Sequence, residues 1–246
     1  MTRRGSGPKP LKLLDRVTVS YSSHQWELFR RLRKNALGIL EGLGTSKASA
    51  IVHGSLARGD VDDKSDIDIL LPAYVSTQIV EAGLEAAGFK ILGREIAQAT
   101  PVHSPKAHLF LDPEQKESLT IPLSPLRKLE LEFYRFGGTV TWHDLAGGVR
   151  SHGCTKKLTL IEPTMEGHVE SSIIGLESEV ARTLGISVDI VKERVRVLTR
   201  RDNVGRTGMF LKLSIPEGLS IEEALRTEAK ANPALRRTLR ERGEGG

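Results

Sequence analysis

The stretch Ile51-Val52-His53-Gly54-Ser55-Leu56-Ala57-Arg58-Gly59-Asp60, continued by Val61-Asp62-Asp63-Lys64-Ser65 and closed by Asp66-Ile67-Asp68-Ile69-Leu70-Leu71-Pro72, decides how the chain is read. The apolar run Ala50-Ile51-Val52 leads into a Gly-Ser turn at Gly54-Ser55. A connection rich in turn residues follows, and residues 67–71 return as a second apolar run. Strand, turn, strand is the expected local structure. Side chains alternate along a strand, so Asp66 and Asp68 share one face. Two adjacent carboxylates repel each other, and folding alone gives no reason to place them together. A divalent cation removes that objection. Mg²⁺ (or Mn²⁺) takes oxygen ligands from paired carboxylates, with phosphates completing the shell.

The Gly-Ser turn supplies the complementary half of a phosphate site. Gly54 lets the backbone approach a ligand closely. A short helix opened by Ser55 and running through Leu56, Ala57 and Arg58 would point free N–H groups at whatever lies above the turn. Ser55 adds a hydroxyl donor and Arg58 a positive charge. Together, a donor-lined turn and a metal-binding carboxylate pair suit a nucleoside triphosphate. A calcium loop starting at Asp60 is excluded, because its sixth position is Ser65 rather than Gly and its twelfth is Leu71 rather than Glu. No Gly-x4-Gly-Lys-Ser/Thr run is present, which excludes a P-loop ATPase.

Gly54-Ser55-x-Ala57-Arg58-Gly59-Asp60 followed by Ser65-Asp66-Ile67-Asp68 resembles the signature of the polymerase-beta-type nucleotidyltransferase superfamily, in its minimal prokaryotic form. The resemblance covers residues 25–125. It implies an α/β (α+β) fold, a mixed sheet with flanking helices. It implies transfer of a nucleotidyl group from a nucleoside triphosphate, with Mg²⁺, to an acceptor hydroxyl. Residue by residue, Gly54, Ser55, Arg58 and Ser65 fall to the nucleotide, and Asp66 and Asp68 to the metal. The family's third carboxylate comes from a later strand. Asp112 is the candidate by residue type, with His108 as the alternative. The acceptor is left open between RNA and protein.

Composition sets outer bounds. The chain has 246 residues, with 39% hydrophobic and 27% charged residues and a formal net charge of +5. This is an ordinary globular composition with a mild basic excess, compatible with nucleotide or nucleic-acid partners. The single cysteine, Cys154, rules out an internal disulfide and suits a reducing compartment. The N-terminus is basic without the apolar segment of a signal peptide, and no stretch is apolar enough to span a membrane. A cytoplasmic protein with no membrane partner is expected.

Residues 1–22 read as a flexible basic arm, with a short strand at 16–20. Residues 23–138 form the nucleotidyltransferase domain, opening with an amphipathic helix over 23–43 in which Arg30, Arg31, Arg33 and Lys34 make a solvated face. A helix over 75–87 ends at Gly88, strands follow over 89–97 and 107–112, and a helix runs over 125–135. Residues 139–170 read as a connecting segment with no zinc spacing. Residues 171–215 give helix, Gly185 turn, helix and then a strand at 209–213. This resembles a smaller winged helix-turn-helix-like domain. The resemblance puts Lys192, Arg194, Arg196, Arg200, Arg201 and Arg206 against nucleic acid. Residues 216–246 form a charged helical tail with a frayed, solvated end. The whole architecture resembles predicted archaeal nucleotidyltransferases with a C-terminal domain of this kind. The rival reading is a nucleic-acid-binding regulator whose nucleotide site senses a ligand without turnover.

Overall fold

The computed structural model describes residues 16–205 and 208–243. A first strand β1 (Val17–Ser20) leads to the long helix α1 (Ser23–Gly42), whose N-cap Ser22 accepts a hydrogen bond from the Gln25 amide at 3.2 Å. Strand β2 (Ile51–His53), the single-turn helix α2 (Ser55–Arg58) and strand β3 (Ile67–Leu70) then form the strand–turn–strand unit read in the sequence. Next come α3 (Thr77–Ala86), β4 (Gly93–Gln98), β5 (Lys106–Phe110), β6 (Glu117–Pro122) and α4 (Lys128–Phe136). Strand β7 (Thr139–Thr141), α5 (Trp142–Ala146), β8 (Gly153–Cys154), β9 (Thr159–Pro163) and β10 (Gly167–Ser172) follow. The chain closes with α6 (Glu177–Leu184), α7 (Val188–Val204), β11 (Leu211–Ser214), α8 (Ile221–Ala231) and α9 (Pro233–Gly243).

Seven strands form one mixed sheet in the order β11-β4-β5-β6-β3-β2-β7, in which β3 and β6 run parallel. Its two faces differ in chemistry because side chains alternate. Val52, Ile67, Ile69, Ile96, Leu109, Leu119 and Ile121 point to one side. There they meet Leu28, Phe29, Ile39 and Leu40 of α1, Val80 and Leu84 of α3, and Ile221 and Ala224 of α8. This is the main core. The other side carries the polar residues His53, Asp68, Ser118, Thr120, His108 and Lys106 together with Ile51, Leu70 and Phe110.

Several expectations are corrected. The segment 139–170 is more than a connection: β7 adds to the large sheet, and β8, β9 and β10 join β1 in a second, four-stranded sheet of order β1-β10-β9-β8. The strand expected at 16–20 is therefore held in a sheet by antiparallel pairing with β10, while the rest of the arm, 1–15, lies outside the described residues. The strand assigned to a wing, β11, pairs antiparallel with β4 at the edge of the large sheet, with Leu211 and Leu213 against the main core. Those two apolar side chains find more surface to bury there than beside α6 and α7. The helix pair α6–α7 packs through Val180, Ala181, Ile190, Val191 and Leu198 on Phe136, Cys154, Leu160 and Ile173, a second core of its own. Arg33 leaves the solvated face of α1: its Nη2 donates to the carbonyls of Asp144, Leu145 and Val149.

The C-terminal helices are docked rather than frayed. Glu222 of α8 accepts hydrogen bonds from the Thr77 amide (3.0 Å) and hydroxyl (2.8 Å), satisfying the start of α3. Arg242 of α9 is 5% exposed. It forms a 2.6 Å ion pair with buried Glu130 and donates to the carbonyls of Pro125 and Val102. Glu130 also accepts from the amides of Ser104 and Arg127, and these bonds hold its carboxyl below the usual range despite burial. Among the described residues no helix is long and apolar enough to cross a membrane.

Removing one partner of a buried ion pair strands the other charge, at a cost of about 3–5 kcal/mol. Arg242→Ala is therefore expected to lower the urea midpoint by that amount of stability, whereas Arg240→Ala, on the exposed side of α9, leaves it within about 0.5 kcal/mol. Equal midpoints for the two variants would refute the docking of α9.

Candidate active site

The site is built where β2 ends. Antiparallel pairing places His53 of β2 opposite Asp68 of β3. Gly54 then turns the chain with φ 84° and ψ −148°, a conformation open to glycine alone. Its amide donates to the Gly138 carbonyl at 3.0 Å, which pins the turn to the end of α4. The carbonyl of Gly54 accepts from the amides of Ala57 and Arg58. Ser55 and Leu56, first in α2, have no upstream carbonyl for their own amides, which leaves two donors at the turn. The Ser55 hydroxyl lies 3.2 Å from the Ser65 hydroxyl. Ser65 in turn accepts from the Asp62 amide at 2.9 Å. The loop 62–65 is thereby tied to the turn, with Ser65 held against Ser55.

Asp66 is exposed and Asp68 is half-buried with a 2.9 Å hydrogen bond from the Ser118 hydroxyl. Neither joins any ion pair among the described residues. Burial and the neighbouring Asp68 charge hold the Asp66 carboxyl above its usual range, with Asp112 adding to the effect and Lys156 and Lys116 opposing it. This is an electrostatic imbalance that a cation would relieve. Among the described residues no three His, Cys, Asp or Glu side chains converge into a closed cluster. The donor set thus fits an ion that takes two carboxylates and fills its remaining positions with water and phosphate oxygens, the habit of Mg²⁺.

Other expected site residues lie elsewhere. Asp112 stands beyond the end of β5, where its two oxygens accept from the amides of Glu114 (3.0 Å) and Glu117 (2.7 Å) and shape the β5–β6 hairpin. Its charge reaches Asp66, but the strand position beside Asp68 on β6 is Ser118. His108 lies two strands away and bonds Thr120 at 3.0 Å. Arg58 is 6% exposed. Its guanidinium grips Asp60 through Nε (2.8 Å) and Nη2 (2.9 Å), and Nη1 donates to the Gly137 carbonyl. All three guanidinium nitrogens of Arg58 are engaged, and it braces the turn through Asp60 and Gly137. On α7, Lys192, Arg196, Arg200 and Arg201 are exposed, whereas Arg194 turns inward, with its guanidinium 4.9 Å from the Phe133 ring centroid of α4. Arg206 lies outside the described residues.

The structure adds groups the motif did not show. The Tyr134 ring stands edge-on to His53 at 4.8 Å, and Lys106 donates to the Tyr134 hydroxyl at 2.8 Å. Burial lowers the affinity of both His53 and Lys106 for protons. These residues line the polar face around Asp68, and only the register of β2, β3, β5 and β6 reveals it. The charge of Lys156, from the turn between β8 and β9, is felt at Asp66.

The carboxylate pair makes a linkage prediction. With its native pKa raised, Asp66 binds its proton more tightly in the folded state. The associated stability is present below the unfolded value near pH 4 and is lost as pH rises through the folded value. At neutral pH the ionised pair is a cost to the fold. Asp68→Asn is expected to be slightly more stable than the parent in chelator. Mg²⁺ at about 100 times its Kd raises the parent's thermal midpoint by roughly 5–10 °C and leaves the variant unmoved. A parent indifferent to Mg²⁺ contradicts this account of the pair.

No curated protein matches the chain at a significant level. Residues 33–109 match the family model of the nucleotidyltransferase domain, a span that includes the Gly-Ser turn, both carboxylates and most of β5. Over these residues the chain is similar to the nucleotidyltransferase domain family.

Proposed function

We propose that the chain moves a nucleotidyl group from a nucleoside triphosphate to an acceptor hydroxyl on RNA or protein, releasing pyrophosphate. The observation that supports this reading is the juxtaposition of a donor-lined turn after β2 with the Asp66–Asp68 couple of the adjacent β3 segment, which joins no ion pair among the described residues. The amides of Ser55 and Leu56 and the Ser55 hydroxyl hold phosphate oxygens. Ser65 keeps Ser55 aimed. Asp66 and Asp68 hold a divalent cation, Mg²⁺ or Mn²⁺, with Asp112 contributing charge from the hairpin. When bound, the cation supplies charge neutralisation at the phosphates and at the attacking oxygen. Lys156 and Lys116 add positive potential where the triphosphate enters. The work of the side chains is positioning and electrostatics.

One observation favours a second reading, a cytoplasmic nucleic-acid-binding regulator that senses nucleotide without turnover. The β6 neighbour of Asp68 is Ser118, so a second cation would lack a third carboxylate on that strand. The exposed Lys192, Arg196, Arg200 and Arg201 of α7 then become phosphate contacts.

Incubation with each α-labelled nucleoside triphosphate, Mg²⁺ and total RNA or protein extract separates the two. Label is expected on one acceptor class, reduced at least about 10²–10³-fold by Asp66→Ala or Asp68→Ala, with circular dichroism unchanged. Undiminished transfer by Asp68→Ala refutes the assignment. Duplex binding with no transfer from any nucleotide selects the regulator.

A further inference from the structure

The polar face of the large sheet has two sides about Asp68. The Gly-Ser turn closes the β2 side. On the other side, register runs from Asp68 to Ser118 on β6, to Phe110 on β5, to Gly93 on β4. Residues directly opposite in neighbouring strands share a face, so these four lie in one row. The next row holds Thr120, His108 and Glu95. The helices of the main core, α1, α3 and α8, cover the opposite face.

On this half of the face, Phe110 and His108 present near-parallel rings, 14° apart with centroids 6.4 Å from each other. Both are half-buried, and Gly93 lets the Phe110 ring lean over β4, since a Cβ there would come 3.3 Å from Phe110 Cδ2. His108 is held by Thr120, and burial brings its pKa down to about 4, so its ring is neutral at physiological pH. Cations frame the rings: Lys106 on β5 and Lys212 on β11, the latter paired with Glu95 at 2.9 Å.

Geometry of the transfer assigns a role to this half. In-line displacement puts the attacking and leaving oxygens on opposite sides of the reacting phosphorus. The triphosphate sits at the turn on the β2 side, so the acceptor enters from the β6–β5 side. Phe110 lies two strand spacings, about 10 Å, from Asp68, within reach of a terminal dinucleotide whose hydroxyl lies at Asp68. Flat, half-exposed aromatic faces set among buried Ser118, Thr120 and Glu95, with lysines nearby, match the way single-stranded nucleic acids are bound: bases stack and the backbone meets positive charge. A protein acceptor would call for an apolar pocket, and the residues paired with or beside Phe110 are Ser118, Gly93 and His108.

We infer that Phe110 and His108 form a stacking platform for the terminal bases of a single-stranded nucleic-acid acceptor. The inference rests on the nucleotidyltransferase reading and narrows its acceptor to nucleic acid.

The test is anisotropy with fluorescein-labelled single strands of about 12 nucleotides, RNA and DNA, on the full chain, beside binding of a fluorescent nucleoside triphosphate. Phe110→Leu keeps the apolar volume and removes the π face. It is expected to weaken strand binding about 5- to 150-fold and to leave triphosphate binding unchanged, while Phe110→Trp retains strand affinity. Tighter binding of RNA than DNA, or the reverse, identifies which strand is the acceptor. A 5-iodouracil strand is expected to photocrosslink within residues 106–110. Equal strand affinity in Phe110→Leu and parent, no strand binding by the parent, or labelled nucleotide transferred only to protein overturns the inference. Strand binding that depends on Phe110 without any transfer refutes the transferase reading and leaves the platform standing.

Discussion

Asp66, just before β3, and Asp68 within it bring two negative charges together on a strand in the interior of the sheet, and no side-chain cation among the described residues forms an ion pair with either. Much of the surrounding structure holds this arrangement in place. Strand β3 is fixed on one side by β2 and on the other by parallel β6, with Ile67 and Ile69 locked into the main core below. The carboxylates above cannot separate without disturbing that packing. The turn that faces them is equally constrained. The buried Arg58–Asp60 ion pair, the Gly54–Gly138 hydrogen bond and the Ser55–Ser65 contact secure α2 from three directions. A site held this way is preorganised, which is what electrostatic catalysis of phosphoryl chemistry requires.

The rest of the chain supports that centre from outside. The strap formed by β11, α8 and α9 closes the free edge of β4 and caps α3 through Glu222. It ends on the buried Glu130–Arg242 pair, which ties α9 to the start of α4. Helix α4 carries Tyr134 to His53 at the site and Phe133 to Arg194 on α7. The Glu132 carboxylate of α4 accepts from the Ser187 hydroxyl at the start of α7. One helix thus contacts the catalytic face, the second core and the C-terminal strap.

The strand–turn–strand unit was legible in the sequence because every signal in it is local: the apolar runs, the Gly-Ser turn and the alternation of Asp66 and Asp68. What failed depended on long-range pairing. Arg58 was read as a phosphate ligand by its place in the motif, and nothing local shows that its guanidinium is buried and reaches the Gly137 carbonyl. Leu211 and Leu213 have the alternation of a wing strand, and nothing local tells that their partner is β4. Arg194 shares the helical stripe of exposed cations in composition, yet its position on α7 faces Phe133. Arg242 sits among exposed arginines in a charged tail, and only the buried Glu130 distinguishes it. Ser118 and Phe110 gained meaning from register with Asp68, which periodicity alone does not supply.

The most direct measurement is a crystal structure with Mn²⁺ and a nucleoside triphosphate whose α–β bridge resists cleavage, with anomalous scattering used to find the ion. The account predicts Mn²⁺ bound by Asp66 and Asp68, phosphate oxygens on the amides of Ser55 and Leu56, and Arg58 still paired with Asp60. An ion held away from both carboxylates, or a triphosphate that avoids the Gly54-Ser55 turn, would contradict it.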